Sequence, residues 1–240
     1  RDDDMIITGK RHDFYYKYKA GFDDKGKING LDIVLASRCG ISPDLSGAIN
    51  DRAIYHIDNC YYIPNINLIS YRCKTNTVSN TAFRGFGGPQ GMFCIENILE
   101  NISKHLNIDT SIIRMNNFYQ KNKNNFTHYG MKVEDNVVNE IFNDLLKKSN
   151  YKKRRKKIID FNKKNKILKK GISITPVKFG ISFTTTHLNQ GGALVHIYTD
   201  GSVHLNHGGI EMGQGLMTKI SLIAANELGI STNEIKITST

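Results

Sequence analysis

The sequence predicts an α+β fold of mixed α and β elements, on three observations. Alternating apolar and polar runs bounded by Gly, Asp and Asn mark hairpins, as in "DFYYKYKAGF" (13–22) and "INGLDIVLAS" (28–37) around the turn "DDKGK". Met92, Ile95, Leu99, Ile102 and Leu106 recur at spacings of three and four, the mark of one helix face. Strand-like and helix-like patterns then interleave through all 240 residues. A chain longer than about 150 residues hides roughly 70% of its unfolded surface, so one large core or two small ones are within reach.

Taken in order, "MIITG" (5–9) reads as a strand ahead of the 13–22 and 28–37 pair. "GAINDRAIYHIDNCY" (47–61) reads as a short helix ending near Asn59, and "INLISYRCKTN" (66–76) as a strand entering "SNTAFRGFGGPQGMF" (79–93). The helix that follows has Pro89 near its start, where a missing N–H costs nothing. "DTSIIRMNNFY" (109–119) gives a second helix capped by Asp109. The polar linker "QKNKNNFTHYG" (120–130) sets a domain boundary, giving domains at 1–122 and 123–240. The second domain opens with helices around 133–148 and 150–164. Strand patterns follow in "KGISITPVKFGISFT" (170–184), "GALVHIYT" (192–199) and "VHLNH" (203–207), the last two joined by the hairpin pair Asp200 and Gly201. "GGIEMGQGLMTKISLIAANELG" is a second glycine-rich turn feeding a helix, with Leu216, Ile220, Ile223, Ala224 and Leu228 as its expected buried stripe. "EIKITS" (234–239) is the last strand.

Composition excludes several classes of function. No apolar run approaches the roughly 18 residues of a membrane span, so no membrane association is expected. The opening "RDDDMIITGKRH" lacks a starting Met and the layout of a signal peptide, as expected of a chain cut from a longer polypeptide or one product of a split one, and a cytoplasmic location is expected. Cys39, Cys60, Cys73 and Cys94 fall outside zinc or iron-sulfur ligand spacing and read as buried thiols. Net charge is +11, but residues 145–170 hold thirteen Lys or Arg against one Asp, so the rest of the chain sums to −1. Basicity confined to one segment, with only Tyr151 and Phe161 interleaved, argues against a nucleic-acid partner and for a solvated helical face.

Two elements share a layout of strand, glycines, a side chain able to bind an anion or heterocycle, and a helix. In the first, Arg84 stands beside Gly85, Gly87 and Gly88; in the second, Gln214 sits between Gly213 and Gly215. Glycines allow close approach of backbone N–H groups, and a helix N-terminus adds partial positive charge, so both are candidate cradles for an anionic cofactor. Neither is a nucleotide loop: no Lys-Ser/Thr follows the glycines, and Gln90 stands where a dinucleotide fingerprint needs its third glycine. His196, His204 and His207 lie on or beside one hairpin without acidic or thiol partners at ligand spacing, and read as exposed strand or turn histidines.

"NDRAIYHIDNCY", "SNTAFRGFGGPQGMF", "TPVKFGISFT", "NQGGALVHIYTDGS" and "HGGIEMGQGLMTK" together closely resemble the molybdenum-binding portion of the xanthine dehydrogenase family, in motif order and over nearly the whole chain. The resemblance implies a fragment of the two-domain molybdenum-cofactor-binding region shared by xanthine dehydrogenases and aldehyde oxidases. It implies hydroxylation of hypoxanthine and xanthine to urate, in purine catabolism, at a molybdenum-molybdopterin centre. In the complete enzyme, electrons would pass through 2Fe-2S clusters to FAD and NAD outside this chain. By the same resemblance, Phe83, Arg84, Gly85, Gly213 and Gln214 contact the cofactor, with Arg84 near the molybdenum. Phe86 and Phe183 would sandwich the purine, Thr184 would bond it, and Arg52 would bind it and act catalytically by stabilising developing negative charge. Arg52 favours purine over aldehyde, since aldehyde oxidases generally place an uncharged residue there.

The same resemblance places the general-base glutamate beyond Thr240, and a second glutamate and a cofactor-binding glutamine before Arg1. The chain alone is therefore expected to be inactive. Its implied partners are the purine substrate and the remaining iron-sulfur and FAD domains or subunits, in a homodimer or heterotetramer. Three alternatives stand beside this: an aldehyde oxidase-type fragment, a non-catalytic remnant, and an anion-binding protein using residues 145–170.

Overall fold

A computed structural model of the chain describes residues 2–238. The chain divides into two compact units, with the boundary between Ile181 and Ser182. The mixed α and β architecture expected from the sequence is observed, with one small three-stranded sheet in each unit.

The first unit opens with helix α1 (Asp2–Ile7), where a strand is expected over 5–9. Asp2, Asp3 and Asp4 fill its first turn, where carboxylates favour a helix start, and no described strand lies beside it to pair with. Strands β1 (Phe14–Phe22) and β2 (Ile28–Gly40) then form the expected antiparallel hairpin, from Phe14 opposite Ser37 to Gly21 opposite Gly30. Asn117 holds the turn between them: its side chain accepts from Ile28 N at 2.8 Å and donates to Gly26 O at 2.8 Å.

Helix α2 (Ser46–Tyr55) lies in the connection from β2 to β3 (Ile66–Lys74), which joins β2 in parallel from Leu31 opposite Ile66. A parallel neighbour needs such a crossover. The inward side chains of β2, Ile28, Leu31, Ile33 and Leu35, meet Cys94, Ile95, Ile98, Leu99 and Ile102 of helix α3 (Gly88–Leu106). Helix α4 (Thr110–Asn117) is capped as expected, with the Asp109 carboxylate accepting from Ser111 N at 2.9 Å. It also brings the buried Arg114 to Glu96 at 2.8 Å and Glu100 at 3.1 Å.

Helices α5 (Val138–Lys148) and α6 (Tyr151–Lys164) anchor on the same core through Phe142 and Tyr151, while most basic side chains of α6 are exposed. Residues 170–184, expected as a strand, form none. Pro176 lacks a donor, and the Pro176 carbonyl and the Lys178 and Gly180 amides bond to side chains instead of to a neighbouring strand. Cys39, Cys60 and Cys94 are buried, whereas Cys73 is exposed, because it projects from the outer part of β3.

In the second unit, β4 (Ala193–Ile197) and β5 (Val203–His207) form the expected hairpin, and β6 (Ile235–Thr238) joins β5 in parallel. Helix α7 (Leu216–Leu228) is the crossover, ending at Gly229. Burial alternates along β5, with Val203, Leu205 and His207 inward, so His207 is buried rather than exposed as expected. The stripe expected along α7 is only partly covered. The buried residue of the helix is Ala225, outside that stripe; Ile220 and Ala224 pack beside it, and Ile223 and Leu228 face outward, because one short sheet covers a narrower arc than the helix's apolar surface. No helix among the described residues is long and apolar enough to cross a membrane.

Candidate cofactor and substrate site

The glycines of "AFRGFGGPQG" have a structural cause that the sequence leaves open. Helices α2 and α3 approach so closely that a Cβ at Gly91 would lie 2.2 Å from the Ala53 carbonyl oxygen. At Gly87 a Cβ would lie 2.0 Å from the Ile49 carbonyl oxygen, and the residue also holds φ of 93°, a conformation that favours glycine. The contact seats the start of α3 against the face of α2 that carries Arg52. Phe86, just before α3, takes φ of 49°, costly for a bulky residue and of a kind concentrated at ligand sites.

Arg52 is buried, and its guanidinium carbon lies 5.9 Å from the Phe86 ring centre and 5.4 Å from that of Phe179. Its Nη1 donates to the Gly180 carbonyl. Burial lowers its pKa, but an arginine starts so high that it keeps its charge. The structure thus brings Arg52 and Phe86 together and adds Phe179, which the sequence reading did not single out although it lies within "TPVKFGISFT".

His56 is a second residue that reading passed over. It sits four positions after Arg52, the spacing of helical neighbours, with Nδ1 3.0 Å from the Arg52 carbonyl oxygen and Nε2 accepting from Gly180 N at 3.0 Å. Burial lowers its pKa, and the cations Arg52 and Lys178 add to that. Further in, Asp58 is fully buried, accepts from the Tyr119 hydroxyl at 2.6 Å and pairs with Lys178 at 3.1 Å. Burial pushes the Tyr119 hydroxyl up, with Asp58 acting in the same sense, and pushes the nearby Cys60 thiol up to about 12.

Phe83 and Arg84 are exposed at the tip of the loop before α3. Arg11 reaches across to it, donating to the Arg84 carbonyl at 2.8 Å and covering the Phe83 ring at 4.5 Å. Gly85 holds φ of 96° there. The loop therefore presents aromatic surface beside two guanidinium groups.

In the second unit, the Glu211 carboxylate accepts from Gly213 N at 2.7 Å, Gly215 N at 3.1 Å and Leu216 N at 2.6 Å. Desolvation raises its pKa, but these amides outweigh that and hold the carboxyl below its ordinary value. The anion at the start of α7 is thus the protein's own. Gln214 closes the same loop, donating to Ile210 O at 2.8 Å and accepting from Met212 N at 2.5 Å. Phe183 and Thr184 lie at the beginning of this unit, where Phe183 N donates to the Asn189 side chain at 2.6 Å. His196 and His204 face each other across β4 and β5, with ring centres 6.4 Å apart. Among the described residues no three His, Cys, Asp or Glu side chains converge as a metal site. An apolar cleft of about 250 Å³ in the first unit, lined by residues including Val137, Ile141, Phe142 and Val177, contains none of the predicted site residues.

Residues 1–118 and 144–240 each match a family described as molybdopterin cofactor-binding domain. The chain belongs to the molybdopterin cofactor-binding domains. Among curated proteins, all 240 residues align with a xanthine dehydrogenase/oxidase of Gallus gallus at 48% identity and with a xanthine dehydrogenase of Dictyostelium discoideum at 48%. A xanthine dehydrogenase/oxidase of Mus musculus matches at 47%. The chain spans 18% of the length of each of these relatives. Two solved structures share the fold. The aldehyde oxidoreductase of Desulfovibrio desulfuricans matches 97% of this chain and 25% of its own, with a TM-score of 0.73 at 22% identity. Quinoline 2-oxidoreductase of Pseudomonas putida matches 97% and 31%, with a TM-score of 0.75 at 18% identity.

A molybdopterin group is a flat heterocycle with an anionic phosphate. The loop of Phe83, Arg84 and Gly85 suits such a group: it is exposed, has a glycine at positive φ, and is flanked by Arg11 and Arg84. The start of α7 suits it less directly, because Glu211 already engages the amides there.

Proposed function

We propose that this chain is the part of a xanthine dehydrogenase-type molybdenum hydroxylase that supplies one wall of the cofactor and purine site. The single observation that carries this reading is the buried Arg52 guanidinium, 5.9 Å from the Phe86 ring centre and 5.4 Å from that of Phe179. Identity of 46 to 48% with xanthine dehydrogenases along the whole chain supports the same class.

Phe83, Arg84 and Gly85 of the first unit would hold the molybdopterin, with Arg84 near the metal. When bound, that group supplies the two-electron redox chemistry of the hydroxylation. The chain's own residues bind and orient the purine. Phe86 offers a ring face to a flat heterocycle. Attack on a ring carbon pushes negative charge onto the ring heteroatoms and carbonyl oxygens. A guanidinium already fixed in a poorly solvated slot stabilises that charge more in the transition state than in the ground state. In the complete enzyme, iron-sulfur, FAD and NAD partners would carry the electrons onward, and a homodimer or heterotetramer would be the working assembly.

The test is Arg52→Met in the complete enzyme, assayed with xanthine and with an aldehyde. Loss of one preorganised charge is expected to lower kcat/KM for xanthine by about 10²–10³-fold, with molybdenum content unchanged. Aldehyde oxidation, which develops no charge on a purine ring, should fall far less. An equal loss on both substrates, or no loss on xanthine, would remove Arg52 from the substrate site.

A further inference from the structure

Residues 176–181 carry Phe179 and Gly180 to Arg52, yet they belong to no strand or helix. What fixes their position is a row of side chains at the end of α2. The Asn59 side chain donates to Pro176 O at 2.9 Å and accepts from Lys178 N at 3.1 Å. Lys178 pairs with the buried Asp58, and Gly180 N donates to His56 Nε2. The Phe179 ring rests on the His56 ring at 4.8 Å. On the α3 side, a Cβ at Gly88 would lie 2.6 Å from the Phe179 ring, so that wall is already in contact.

We infer that His56 is a positioning residue for Arg52, acting as a staple between α2 and the segment that receives the Arg52 guanidinium. The ring's two bonds set its chemical form. A carbonyl faces Nδ1, so Nδ1 must donate; a backbone N–H faces Nε2, so Nε2 must accept. Only neutral imidazole with its proton on Nδ1 does both. A second proton would set two donors against each other at Gly180, and the other tautomer would lose both bonds. The charged groups facing the ring are Arg52, Lys178 and Asp58, and burial acts with the two cations against protonation. The Gly180 carbonyl receives Arg52 Nη1 while the Gly180 amide is held by His56. The aim of the guanidinium is thereby tied to the ring.

The inference rests on the reading of Arg52 as a substrate contact, and the experiment separates the two. In the complete enzyme, His56→Leu, His56→Asn and His56→Gln are compared with Arg52→Met. Glutamine reaches far enough to place an acceptor at the former Nε2 position, whereas asparagine is too short. Amide exchange of a peptide spanning 176–182, measured by mass spectrometry with no need for cofactor, should accelerate in the Leu and Asn variants and stay slow in the Gln variant. kcat/KM for xanthine should follow the same order, falling by about 10²-fold for Leu and Asn, the scale of a misplacement near 1 Å, and recovering to within ~10-fold for Gln. Unchanged exchange in His56→Leu, or an asparagine variant indistinguishable from the glutamine one, overturns the staple. Faster exchange with undiminished kcat/KM, while Arg52→Met is impaired, overturns the positioning role alone. If Arg52→Met is itself unimpaired, the substrate reading fails, and the positioning role falls with it.

Discussion

At His12, His56 and His128 burial makes the charged imidazole unfavourable, and in all three it is the leading cause of a pKa below the ordinary 6.5. Opposing causes are present and weaker, such as Asp44 beside His12 and Asp58 beside His56 and His128. The sign of the stability effect follows. Above pH 6.5 both folded and unfolded chains hold these rings neutral, and stability is complete. As pH falls through 6.5 the unfolded chain takes up protons that the folded one refuses, so stability is lost until the lowered folded values are reached. Each fully discriminated ring contributes a slope of up to about 1.4 kcal/mol per pH unit. The urea midpoint of the first unit should therefore drop between pH 6.5 and 5.5, before most carboxylates titrate, and His56→Gln should make the drop shallower. A midpoint that stays level over that window would show that these rings take up protons in the folded chain.

At the scale of elements, the close approach of α2 and α3 decides where the candidate site forms. Gly91 has no room for a Cβ beside the Ala53 carbonyl, while Gly47, on α2 itself, faces open space. Gly91→Ala should force the helices apart and cost about 1–3 kcal/mol in a denaturant titration, the range for overpacked cores. Gly47→Ala should be neutral or stabilising by about 0.5–1 kcal/mol, since a helical glycine only loses backbone entropy there. Equal effects at the two positions would count against the packing account. The contrast also shows what the sequence makes legible. Periodicity located α3 and the Ile95, Leu99 and Ile102 stripe, and turn chemistry located the β1–β2 and β4–β5 hairpins. Periodicity does not say where backbone hydrogen bonds go. The alternating pattern at 170–184 suits a strand, yet its donors and acceptors are taken by Asn59 and His56, residues more than a hundred positions away. The aspartates before Ile6 and Ile7 likewise outweighed a local strand pattern. Of the site, Arg52 and Phe86 were legible as motif residues, but Phe179 and His56 matter through the segment that only three-dimensional packing brings to Arg52.

For the molecule as a whole, the two units differ in how much apolar surface each conceals. Among the described residues, eighteen buried apolar side chains form the core of the first unit, and four, Val203, Leu205, Ala225 and Ile235, form that of the second. In the second unit every residue of β4 is exposed, and Leu222 and Ile223 of α7 face outward. Small sheets with one covered face sit near the limit of independent stability, because the conformational entropy lost scales with ordered residues while the compensating burial does not. The second unit should therefore open locally well before the first. In native-state hydrogen exchange of this 240-residue chain, the amides of β5 should be less protected than those of β2, on the order of 100-fold or more, which corresponds to about 3 kcal/mol between their opening free energies. Both strands are central in three-stranded sheets and carry the same ladder bonding, so the comparison isolates the core behind each. Equal protection in β2 and β5 would mean that the exposed apolar faces of β4 and α7 are covered in solution, and a measurement of the chain's association state would then be the place to look for what covers them.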